Sequence, residues 1–135
     1  MKNVFLSLSF ALFLNIICSG QHLIGVSKDI IAQRVKTEMK GFNLDNSSKN
    51  KNYNYLKYLN SSGTKTLFIF FNENNISTNT RLVCDYSELD FVLDDLKKQF
   101  KKAGENKWEY TVGKGKFLIT MRKEEWYFVV STKKK

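Results

Sequence analysis

Apolar and polar positions change period along this chain, and the changes divide it into segments. Ile31, Val35 and Met39 recur at helical spacing within Lys28–Lys40, with Ser27 as an N-cap and Gly41 as a stop. The polar, Asn/Ser-rich stretch Phe42–Lys51 reads as a loop. Tyr53–Leu59 alternates aromatic and polar residues and predicts a strand. After the turn Asn60-Ser61-Ser62-Gly63, Thr66–Asn72 predicts the strongest strand. It is apolar on both faces, which implies a central position covered on both sides, or nearly so. Glu73-Asn74-Asn75 makes a tight turn, since Asn tolerates positive φ. Ser77–Tyr86 follows as a third strand with Thr78, Thr80, Leu82 and Cys84 on one face.

The period then returns to helical. Ser87 predicts a cap, with Asp90 completing an acidic capping box. Leu89, Val92, Leu93, Leu96 and Phe100 form an apolar stripe, and Gly104 ends the helix. Glu88, Asp90, Asp94 and Asp95 lie in its first half. Lys97, Lys98, Lys101 and Lys102 lie in its second half, the order that opposes the helix macrodipole. Trp108–Val112, Lys116–Arg122 and Glu125–Ser131 predict three more strands, with turns at Gly113-Lys114-Gly115 and near Lys123-Glu124.

These elements predict an α+β domain: an antiparallel sheet of about six strands with two helices on one face, arranged as an αβββ-αβββ tandem. The layout resembles that of the β-lactamase inhibitor proteins, an analogy of architecture that no motif turns into a family assignment.

The first residues lie outside this pattern. Met1-Lys2-Asn3 is a positive start, and Val4–Cys18 is an uncharged apolar run, short for a membrane-spanning helix and suited to the core of a secretory signal. Cys18 and Gly20 supply small side chains at the −3 and −1 positions of a cut before Gln21. The domain assignment is therefore residues 1–20 as signal peptide and 21–135 as one domain. Export to the periplasm or the medium follows. The alternative is an outer-membrane lipoprotein acylated at Cys18, although Ile17 stands where such signals carry a small residue.

Composition adds three points. The 135-residue chain has 42% hydrophobic residues, eleven Phe and no Pro, a globular composition whose Asn, Lys and Ile usage suits an AT-rich bacterial genome. Its net charge is +9, about +8 once Lys2 is removed. A basic surface draws anionic partners, and export argues against nucleic acid as one of them. A cut before Gln21 leaves Cys84 as the one cysteine, so no internal disulfide forms, and its place in a strand marks it as a buried thiol.

Catalytic chemistry finds no constellation. His22 is the one histidine and lies near the expected mature terminus; Asp94/Asp95 are adjacent on a helix, and Glu124/Glu125 fall at a turn. Gly113-Lys114-Gly115-Lys116 joins two strands and lacks the phosphate-loop pattern. No catalytic, cofactor or metal residues are assigned. The aromatics are the better lead: Tyr53, Tyr55, Phe68, Phe70, Trp108, Tyr110, Trp126, Tyr127 and Phe128 exceed what one thin core requires. Some line an open sheet face with Lys57, Arg81, Lys116 and Arg122. Aromatic and Arg anchors characterise protein-binding surfaces, so Lys57, Arg81, Lys116, Arg122 and Tyr127 form the candidate partner surface. The expected function is a non-catalytic binding or accessory protein of the bacterial envelope. Membrane-surface contact through the lysines and an enzyme built on Cys84 or scattered carboxylates are the competing readings.

Overall fold

The first helix of the computed structural model, α1 (Lys28–Glu38), follows Ser27, whose backbone is extended. The structure describes residues 23–47 and 52–135, so the expected signal segment, Cys18 and His22 lie outside the described residues. Ser27 caps through its carbonyl, which accepts Ile31 N–H at 3.0 Å, and its side chain makes no cap bond. Ile31 and Val35 are buried. The helix stops at Glu38, two residues short of the expected Lys40, and Gly41 turns the chain with φ +103°.

The expected loop after Gly41 begins instead with a strand, β1 (Phe42–Leu44), paired antiparallel to β2 (Tyr55–Asn60). Three residues carry too little pattern to announce a strand; its hydrogen-bonding partner defines it. β3 (Lys65–Phe71) and β4 (Ser77–Asp85) complete a meander. Asn75 takes φ 60° in the turn between them, as its position there anticipates. A register shift sets Phe71 opposite Ser77 and Phe70 opposite Asn79, so Thr78 is the extra residue of a bulge. Ser77, Thr80, Leu82 and Cys84 are therefore buried and Thr78 is exposed, which corrects the simple alternation expected for this strand.

Asp85, not Ser87, caps the next helix: its carboxylate accepts Ser87 N–H at 2.9 Å, and a 3-10 turn (Tyr86–Glu88) leads into α2 (Leu89–Gln99). Val92 and Leu96 are its buried positions. Phe100 is already extended, so Gly104 is no helix stop, and Lys101–Gly104 forms a short strand, β5. Lys101 and Lys102 thus belong to a strand, and the macrodipole accounts only for Lys97 and Lys98. β6 (Lys107–Val112), β7 (Gly115–Lys123) and β8 (Tyr127–Lys134) form the second meander with β5.

The result is an α+β fold with one antiparallel sheet of eight strands, in the order β1-β2-β3-β4-β8-β7-β6-β5, and two helices. Each helix is followed by four strands, not the three expected, and the two meanders meet where β4 pairs β8, with Arg81 opposite Ser131 and Leu82 opposite Val130. One apolar cluster joins Ile31, Val35, Val92 and Leu96 to Leu67, Ile69, Leu82, Cys84, Trp108, Ile119, Phe128 and Val130. Both helices therefore share a core with one face of the sheet, and each buried aliphatic or Phe side chain stabilises it by roughly 1.5–3 kcal/mol. Among the described residues no helix covers the opposite face. β3 is central, as expected, but covered on one side: Leu67, Ile69 and Phe71 are buried, while Thr66, Phe68 and Phe70 stay half-exposed.

The segment leading into α1 is fastened to the β3–β4 turn. Gly25 N–H donates to Ser77 O at 2.8 Å, Ser77 N–H to Val26 O at 2.9 Å, Val26 N–H to Ser77 Oγ at 3.0 Å, and Lys28 N–H to Asn75 O at 2.9 Å. Leu23 is buried in the shared core.

Candidate functional site

Strand alternation sends Tyr55, Lys57 and Leu59 of β2 away from the helices, and the pairing register carries this face across the sheet. Lys57 stands beside Phe68, Phe68 beside Arg81, Arg81 beside Ser131, and Ser131 beside Thr120. In the next row Tyr55, Phe70, Asn79, Lys133 and Leu118 are aligned. On the other side, Leu59, Thr66, Val83, Val129 and Arg122 form a third row. Tyr127 opposes Asp85 at one end of the sheet, and Lys116 opposes Thr111 at the other.

All five expected surface residues thus project from the face that carries no helix. Arg81, Lys116, Arg122 and Tyr127 are exposed and Lys57 is half-buried. They do not converge: Lys116 and Arg122 sit at opposite ends of β7, roughly 20 Å apart at about 3.4 Å per residue. The alignment also brings in Lys101, Lys107 and Lys133, which were not selected from the sequence. The signal for Lys133 was its parity with Tyr127 along β8, hidden by the earlier strand end at Ser131.

The aromatic side chains on this face cluster at β2 and β3. The rings of Tyr55, Phe68 and Phe70 lie 6.0, 6.0 and 6.2 Å apart pairwise. Cations cover them: Arg81 lies 5.4 Å from the Phe70 centroid and Lys57 Nζ 5.9 Å from that of Phe68. Such contacts contribute about 0.5–1 kcal/mol at exposed sites.

Three carboxylates neutralise part of the basic surface. Asp45 pairs with Lys57 at 3.1 Å, Glu109 with Lys135 at 3.0 Å, and Glu124 with Arg122. Hydrogen bonds from Ser47, with Lys57 alongside, pull the Asp45 carboxyl down to about 2. The hydrogen bond from Lys135 lowers Glu109. No described carboxylate lies within ion-pair distance of Arg81, Lys107, Lys116 or Lys133, so the face keeps a basic surplus that reaches from β4 to β6.

The residues considered for chemistry fall elsewhere. Cys84 is 1% exposed on the helix side, and burial pushes its thiol up to about 12, with Lys65 opposing and Glu88 adding. A neutral, enclosed thiol is no nucleophile at neutral pH. Asp94 is exposed and pairs with Lys98 at 2.9 Å. Asp95 has one carboxylate oxygen buried, and burial raises its pKa. Glu124 holds Arg122, and its carbonyl accepts the Tyr86 hydroxyl. Gly113-Lys114 is the hairpin turn between β6 and β7, and Gly115 and Lys116 already belong to β7. Among the described residues no group of His, Cys, Asp and Glu side chains could hold a metal ion, and no helix is long and apolar enough to cross a membrane.

No family model matches this chain, and no curated protein and no solved structure does.

Proposed function

We propose that this chain is an exported, non-catalytic binding or accessory protein of a bacterial cell envelope, which presents the open face of its sheet to a protein or another envelope component. The observation that carries the reading is the makeup of that face. Phe68, Phe70, Val83 and Leu118 stand half-exposed in its rows among Lys57, Arg81, Arg122 and Lys133, with Lys116 beyond them at the end of β7. A face that served only solubility would alternate polar residues outward. The half-exposed cluster of Tyr55, Phe68 and Phe70 beneath Lys57 and Arg81 is the kind of aromatic and Arg anchor that interfaces use. Export rests on residues 1–20: the short positive start, the apolar run and the small residues before Gln21.

Two measurements test this. Mass spectrometry of the secreted protein should find Gln21 at the mature terminus; an acylated Cys18 would replace soluble export by membrane tethering, and an intact Met1 would remove export. Capture from an envelope extract should fall by at least about 30-fold in Thr120→Glu and in Arg81→Glu, a loss of about 2 kcal/mol, the size expected of an interface anchor. Lys97→Glu, on an exposed position of α2, should leave capture unchanged. Equal loss in all three variants, or loss in none, would overturn the assignment of the face.

A further inference from the structure

Where β2 begins, the open face ends in a shallow depression of about 730 Å³ between Asn52–Asn54 and the β3–β4 turn. Phe70 and Tyr53 supply its rings, Arg81 and Asn79 its strand-borne polar groups, and Asn72 and Glu73 its turn-borne ones. The polar groups are not all spent on the fold. Asn79 uses its Oδ1 to accept from Thr78 at 3.0 Å, which leaves its NH2 without a described partner. Asn72 Oδ1 accepts Asn74 N–H at 2.9 Å and Ile76 N–H at 3.0 Å, and its NH2 is likewise left over. Arg81 is stacked on Phe70 and Glu73 pairs with no described cation. Asn54 differs: it takes Lys28 Nζ at 2.8 Å and donates to Asn72 O at 3.1 Å and Asn75 Oδ1 at 2.7 Å, and so is wall rather than site.

We infer that this depression binds carbohydrate, a sugar unit of an envelope polysaccharide, with its C–H face on Phe70 and Tyr53 and its hydroxyls bonded by Asn72, Asn79, Arg81 and Glu73. The inference rests on the binding-face reading and names the ligand for one end of it. A sugar presents a hydroxyl, both donor and acceptor, on most of its ring carbons. Its site therefore needs planar donors and acceptors together beside an apolar surface, and amide, guanidinium, carboxylate and aromatic ring are that set. Charge decides against an acidic peptide here. One cation faces one carboxylate in this lining, whereas the surplus lysines, Lys107, Lys116 and Lys133, lie outside it.

The test is a titration of the ¹⁵N-labelled secreted protein, followed through the side-chain amide signals of Asn72 and Asn79. The probes are linear tetramers of glucose and of N-acetylglucosamine, with hexaglutamate as the acidic peptide. At least one tetrasaccharide should move both signals below about 10 mM, since a shallow site of this kind supports affinities near the millimolar range. Tyr53→Ala, at an exposed position outside the strands, and Asn79→Ala should each weaken that binding by at least about fivefold with the backbone spectrum otherwise unchanged. No shift with either sugar, or a shift with hexaglutamate at lower concentration than with the sugars, would overturn the assignment. Thr120→Glu lies outside the depression and separates the two claims. If the sugars fail and Thr120→Glu still abolishes envelope capture, only the carbohydrate falls; if Thr120→Glu changes nothing, the face falls with it.

Discussion

Replacing Leu23 by Ala takes three carbons from a side chain that is 2% exposed and joined to the core shared by both helices. Transfer alone is worth about 0.8 kcal/mol per carbon, or about 2.4 kcal/mol, and an unrelaxed cavity raises buried Leu→Ala losses toward about 5 kcal/mol. Relaxation is restricted, because the backbone on the C-terminal side of Leu23 is fixed by the four bonds to Ser77 and Asn75. The expected loss is about 2–4 kcal/mol, inside the range for buried Leu→Ala changes. Against a total stability of about 5–15 kcal/mol this is easily read by urea denaturation, as a lower midpoint with an unchanged slope. Leu44→Ala is the control: at 47% exposure on an edge strand it should cost no more than about 0.5 kcal/mol. A Leu23→Ala variant within about 0.5 kcal/mol of the parent would refute the reasoning and show that the segment before α1 does not belong to the folding unit. The result bears on export, since a leader removed before Gln21 leaves this anchor whole and a cut beyond Leu23 would remove it.

Three further outcomes follow from named groups. The Cys84 thiol, buried and held up to about 12, should resist alkylation at pH 8 in the native protein and react on unfolding in urea, read by mass spectrometry of its peptide; rapid native labelling would contradict its burial. The Asp45 carboxyl should titrate near 2 by NMR and move up toward the ordinary 3.8 in Ser47→Ala. Because the folded value is depressed, the stability Asp45 adds is present above its unfolded pKa and fades as pH falls toward 2, so the Ser47→Ala defect should be visible at pH 6 and shrink near pH 2. Trp126 is 78% exposed and Trp108 1%, so Trp126→Phe should leave blue, quench-resistant fluorescence and Trp108→Phe red, readily quenched fluorescence; similar quenching of both variants would refute the two environments.

What the sequence made legible is what burial enforces. Ile31 and Val35, then Val92 and Leu96, had to share helix faces because each pair meets one core, and their spacing shows it. The inner strands announce themselves similarly through Leu67/Ile69 and Ile119/Met121. The edge strands do not. Phe42-Asn43-Leu44 has no buried residue, and Lys101–Gly104 is exposed throughout, so neither has a buried alternation to read. Their strand character comes from the bonds that β2 and β6 offer them. Lysines on β5 also suit an edge that must not pair with another chain. The same residues look like the end of a helix when only charge order is considered, which is how two strands escape a pattern-based count.

The candidate face was legible by parity and illegible by depth. Alternation alone places Lys57, Arg81, Lys116 and Arg122 on the side opposite Tyr58, Leu82, Phe117 and Met121, and the pairing register then gathers them onto one surface. No pattern tells which side of β3 the helices cover, because Leu67-Phe68-Ile69-Phe70-Phe71 is apolar on both. Apolar residues bound for a core and for a partner have the same sequence signature, and only the three-dimensional arrangement separates them. Val129 shows the consequence. It lies on the uncovered face and is still 4% exposed, between its row neighbours Val83 on β4 and Arg122 on β7. A residue that its neighbours shield so completely adds stability by itself, so this apolar position on the face is structural. The half-exposed rings of Phe68 and Phe70 are not explained that way, because closing them off from water would require something beyond the described chain. The half-exposed apolar area of the proposed binding face is therefore concentrated at β2–β4, around Arg81 and the aromatic cluster. The lysine-rich β6–β7 end adds charge for steering more than apolar area for affinity.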